Sequence, residues 1–71
     1  MSPRDLRGLV PPEPMEIILD AVDAAAAGSQ MQYLLPHFPQ PLIPYLQQRG
    51  VFYDSEMLPD YSGVVLTLTM P

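Results

Sequence analysis

The chain has 71 residues, a net charge of −5, three arginines, no lysine and no cysteine. Without cysteine it has no disulfide, zinc–thiolate site or thiol catalysis, and its acidity makes nucleic acid and anionic membrane poor partners. Almost half the residues are apolar, which argues for a folded core despite ten prolines.

One domain covering residues 1–71 is expected, with a thin core, since a chain this short buries only about 60% of its unfolded surface. No apolar run approaches the ~20 residues of a membrane span, and the N-terminus lacks a signal-peptide core. The expected location is the cytoplasm.

The opening stretch, Asp5 to Pro14 (DLRGLVPPEP), combines a short strand around Arg4–Arg7, a glycine turn and a helix start. Gly8 lets the chain reverse. Pro12 suits a first helical turn, where a backbone N–H has no intrahelical partner, and Pro14 still falls within that turn. Glu13 and Glu16 are placed where the helix dipole favours negative charge.

The spacing predicts a first helix over 12–27. Met15, Ile18, Leu19, Val22, Ala25 and Ala26 form one apolar stripe. Gly28 is the expected stop. The other side carries Glu16, Asp20 and Asp23, a solvated acidic face or a docking surface for a basic partner.

Ser29 to Leu35 alternates as a strand, with Met31, Tyr33 and Leu35 toward the helices. Pro36 ends it, and Pro36, Pro39 and Pro41 stiffen the loop that holds His37. A shorter helix is predicted over 41–49, burying Leu42, Ile43, Tyr45 and Leu46, with Pro44 in its first turn. Arg49 suits its negative end and Gly50 its cap.

Val51–Leu58 and Val64–Met70 read as two strands joined by the turn Pro59–Gly63, hence an antiparallel hairpin. Val64, Leu66, Leu68 and Met70 alternate with Val65, Thr67 and Thr69. The Val51–Leu58 strand alternates less cleanly, and its faces stay unassigned. The order βαβαββ, with right-handed crossovers, predicts an α+β two-layer sandwich: two helices on one face of a four-stranded mixed sheet. The other face is open and carries Gln32, Leu34, Val65, Thr67 and Thr69.

Asp5, Gly8, Leu9, Pro12 and Pro14 match the spacing D-x-x-G-L-x-C-P-x-P that opens the TusA/SirA-like sulphur carriers, and Ile43-Pro44 matches the proline in the first turn of their later helix. The chain resembles that family over nearly its whole length, and within it an uncharacterised offshoot that keeps the fold without the cysteine. The resemblance implies the same sandwich and a bacterial source. The carriers pass a persulfide sulphur between partners; here Pro11 occupies the cysteine position, which excludes direct carriage.

No nucleophile–base pair is visible, and no cofactor is expected. Pro11, Pro12 and Pro14 remove donors from the helix start, which weakens anion binding there. Ligand sites in open α/β sheets favour the carboxyl edge of the strands, so Arg7, Glu13 and His37 are the candidates for a small-ligand or metal site. One histidine with one carboxylate falls short of a usual metal set. The expected function is a non-catalytic interaction module whose partner is a protein, or a second copy in a weak homodimer. A ligand site at Arg7, Glu13 and His37 and an accessory role in sulphur relay are the alternatives.

Overall fold

The last strand, β4 (Val64–Thr69), forms the middle of the sheet in the computed structural model, which describes residues 2–71. Val64, Leu66 and Leu68 are buried, while Val65, Thr67 and Thr69 are half-buried. That two-residue period is what a strand packed on one face requires. β4 runs antiparallel to β2 (Gln30–Leu35) on one side and to β3 (Phe52–Met57) on the other. The two-residue β1 (Arg4–Asp5) pairs parallel with β2, so the order is β1-β2-β4-β3.

Two helices complete the βαβαββ order: α1 (Glu13–Ala24) and α2 (Ile43–Gln48), the latter preceded by a 3-10 turn at Gln40–Leu42. Ile18 and Val22 from α1 meet Leu42 and Leu46 from the second helical segment over Tyr33, Leu35, Leu66 and Leu68 of the sheet. All are buried in one cluster, so both helices lie on the same face. Leu46, Leu66 and Leu68 are fully buried, and each such side chain stabilises by about 1.5–3 kcal/mol relative to exposure.

Several boundaries differ from the sequence reading. α1 stops at Ala24, with Ala25 extended, although Ala24–Ala27 favours a helix. The segment is tied elsewhere: the Gly28 N–H donates to the Met70 carbonyl and Ser29 donates to Ala26. Gly28, at φ +80°, turns the chain into β2 instead of capping α1. Ala26, expected in the buried stripe, is exposed. Tyr45, expected inside, is exposed, since Leu46 is the one residue of α2 that turns fully into the core. Gly50 closes α2 with φ +68°, as expected of a helix-ending glycine.

The register assigns the faces of β3. Tyr53, Ser55 and Met57 oppose Leu68, Leu66 and Val64, whereas Phe52, Asp54 and Glu56 oppose Thr69, Thr67 and Val65. Directly opposed residues share a face, so the first set points to the helix side and the second to the open side. All six residues are nevertheless exposed. β3 is an edge strand with both of its faces largely open to solvent. The three-residue interval of turn chemistry at Asp60–Ser62 is stapled by Asp60, which accepts from both the Ser62 amide and its hydroxyl.

Candidate functional site

At the carboxyl ends of β1 and β2 a groove of about 450 Å³ opens between the start of α1 and the loop after β2. Pro11, Pro12 and Pro14 line one wall, Pro36, Pro39 and Pro41 the other. His37 is the sole titratable side chain in the lining. The start of α1 offers an anion little. Pro12 and Pro14 have no N–H, the Glu13 N–H donates to the Val10 carbonyl, and the Glu16 N–H donates to the Pro12 carbonyl. Met15 is left as the only donor of that first turn.

The structure does not gather Arg7, Glu13 and His37 into one cluster. Arg7 is turned to its own strand: its Nε and Nη2 donate to the two Asp5 carboxylate oxygens at 3.0 and 2.9 Å, and Nη1 donates to the Ser62 hydroxyl at 3.3 Å. This pair, with the Arg7 amide also donating to Asp5, holds the Asp5 carboxyl below its ordinary range. Glu13 is exposed outside the groove lining, and His37 alone of the three borders it. Among the described residues no group of three or more potential metal ligands comes together.

The uncovered sheet face is built differently. Leu34 sits directly opposite Val65 across β2 and β4. The Gln32 amide donates to the Thr67 hydroxyl at 3.1 Å, and Gln30 does the same to Thr69. These cross-strand bonds tie the polar side chains into a row that leads along the strands to the Leu34–Val65 pair. Glu56 continues the row beside Val65, and Asp54 beside Thr67. Phe52, 69% exposed, closes the row beside Thr69.

On the opposite layer, Glu16 and Asp20 remain exposed on α1, but Asp23 does not stay a free acid. Arg49 holds it in an ion pair, which lowers the Asp23 carboxyl from its ordinary value. The acidic stripe is thereby shortened to its first two carboxylates.

The exposure of β3 along its whole length is a feature that the sequence signals only weakly. Its signal was the broken alternation of Phe52-Tyr53-Asp54-Ser55-Glu56-Met57, where three polar residues in succession leave neither face apolar. No helix of the described residues is long and apolar enough to cross a membrane.

A family model described as an uncharacterized conserved protein (DUF2249) matches residues 4–65. No curated protein and no solved structure matches the chain.

Proposed function

We propose, from the premise that the chain belongs to the uncharacterised conserved family DUF2249, that it is a non-catalytic interaction module whose partner is another protein. The observation that carries the reading is the direct pairing of Leu34 and Val65 on the sheet face that no helix covers. Gln32 and Thr67 follow the pair along the strands, with Thr69 beyond them, and Asp5 and Glu56 flank it on the neighbouring strands, a mix of apolar centre and polar rim that interfaces use. Weak self-association through this face is the simplest assembly, since two-fold homodimers are the commonest.

The βαβαββ order and the proline-rich turn into α1 support a kinship with the TusA/SirA-like carriers. In that kinship Pro11 stands at the carrier's cysteine, and the chain serves a bacterial cytoplasmic pathway without holding sulphur itself, at most as an accessory to sulphur relay. A ligand site is the second reading. It is favoured by the position of His37 on the proline groove, with Arg7 and Glu13 contributing only if they swing toward it.

Replacing Leu34 and Val65 together with charged residues separates these readings. The expected result is a folded protein with weakened self-association or partner capture, read by sedimentation over a concentration series. His37→Ala is expected to change neither. Loss of binding in His37→Ala alone would transfer the function to the groove, and unfolding of the double variant would place Leu34 and Val65 in the core.

A further inference from the structure

The hydrogen-bond pattern of the hairpin fixes which peptide groups of β3 face outward. The Leu58 N–H donates to the Gly63 carbonyl, so Leu58 and Gly63 form a hydrogen-bonded pair. In an antiparallel ladder such pairs alternate with non-bonded ones. Glu56, Asp54 and Phe52 therefore bond to β4, and the peptide groups of Tyr53, Ser55 and Met57 point away from the sheet. The Ser55 N–H confirms the phase: it donates to its neighbour Asp54 Oδ1 at 3.0 Å instead of to β4. An edge of unpaired N–H and C=O groups is a template for another strand. Here the Asp54 carboxylate occupies the central donor of that template.

Charge decides what the edge can accept. Asp54 and Glu56 lie side by side on the open face, and both ion pairs among the described residues are elsewhere, at Arg7–Asp5 and Arg49–Asp23. A second copy fits poorly. Pairing β3 antiparallel to itself with its outward groups in register sets Asp54 against Asp54, Asp54 against Glu56, or Glu56 against Glu56 in each central register. Like charges directly opposite one another destabilise a strand pair.

We propose that β3 is a strand-addition site for an extended basic segment of a partner protein. Lysine or arginine lies opposite Asp54 and Glu56, and apolar residues lie opposite Tyr53 and Met57 on the helix side. This rests on the interaction-module reading and adds the chemistry of the partner. A cation opposite Asp54 draws its carboxylate off the Ser55 N–H and frees that donor for the incoming carbonyl. Exposed Tyr53, braced by Phe38 with ring centroids 6.5 Å apart, supplies a contact for the apolar residues.

The test uses isotope-labelled protein and a capped peptide of about eight residues, the length of an ordinary strand, alternating lysine with valine. The same peptide with glutamate for lysine, and one with its lysines and valines in separate blocks, serve as controls. Saturable shifts of the Tyr53, Ser55 and Met57 amides are expected with the alternating lysine peptide, weaker ones with the block peptide and none with the glutamate peptide. Asp54→Asn with Glu56→Gln is expected to weaken binding about two- to thirtyfold, the worth of two cross-strand charge pairs, with the β2 and β4 amide shifts unchanged. No saturable binding, equal binding of the glutamate or block peptide, or indifference to the double variant would overturn the proposal. Shifts confined to Gln32, Leu34 and Thr67 would overturn it while leaving the sheet-face interaction standing. Concentration-dependent shifts of β3 without peptide would replace the basic partner with a second copy.

Discussion

Arg49 at the end of α2 clasps Asp23 in the last turn of α1, Nε to Oδ1 at 2.6 Å and Nη2 to Oδ2 at 3.2 Å. The same guanidinium donates through Nη1 to the Tyr45 carbonyl, one of the last carbonyls of α2. One side chain thus caps its own helix and joins it to the other. A fork of this kind matches a carboxylate's geometry and is stronger than a single contact, although exposure and salt weaken it.

The pair makes part of the stability pH-dependent, with a definite sign. Arg49 lowers the folded carboxyl of Asp23 below its ordinary 3.8. Its contribution is therefore fully present above that value and is lost as pH falls through the lowered one. Asp23→Asn is expected to lower the Tm at neutral pH and low salt, and the gap from the parent should close in acid. Asp5 and Asp60 are lowered in the same way by Arg7 and by Ser62, so the variant keeps a residual acid sensitivity. Thermal unfolding of both proteins across the acid range checks this; a gap that does not narrow would show that the pair is not its source.

Gly63 is required by a close approach rather than by its backbone angles. A Cβ there would stand 2.7 Å from the Leu35 carbonyl oxygen and 3.2 Å from the Arg7 side chain. The carbonyl belongs to the β2 backbone and cannot move aside without disturbing the ladder. Gly63→Ala is expected to destabilise by about 1–3 kcal/mol, the usual cost of overpacking, as read by urea unfolding. An unchanged midpoint would mean that the hairpin end yields more freely than the packing around it implies.

The two faces of β4 should respond differently to truncation. Leu66 is fully buried beneath the helices, and Leu66→Ala should cost about 2–5 kcal/mol. The total stability expected for a domain of this size is about 4–11 kcal/mol, so that variant should lose a large share of it. Thr67→Ala loses the bond from Gln32 on the half-buried face and should cost only about 1 kcal/mol. Equal losses at the two positions would contradict a sheet covered on one face alone.

Much of this architecture is legible along the chain because it depends on near neighbours. The alternation of Val64 to Met70 reflects the two-residue period of a strand. The spacing of Met15, Ile18 and Val22 reflects the helical one, and Pro14 and Pro44 are tolerated only within a first turn. Gly50 ends α2 because it adopts a left-handed angle at little cost. Those features need no knowledge of what is packed across the core.

What depended on residues far apart in sequence was decided only by the tertiary structure. Helix propensity would carry α1 through Ala27, but the hydrogen bond from Gly28 to Met70 belongs to the sheet and draws the chain away. Asp23 reads as one acid of three until α2 brings Arg49 beside it. Arg7 and His37 lie at the same end of the sheet, yet Asp5 and Ser62 hold Arg7 on the open side while His37 borders the groove. β3 has the composition of neither a buried nor a half-buried strand, and its place at the sheet edge with all six residues exposed explains why: no burial constrained Asp54, Ser55 and Glu56. Local sequence sets which elements form, because their periods repeat within a few residues; which surfaces remain open follows from how far each element extends over its neighbours, a property of the assembled layers alone.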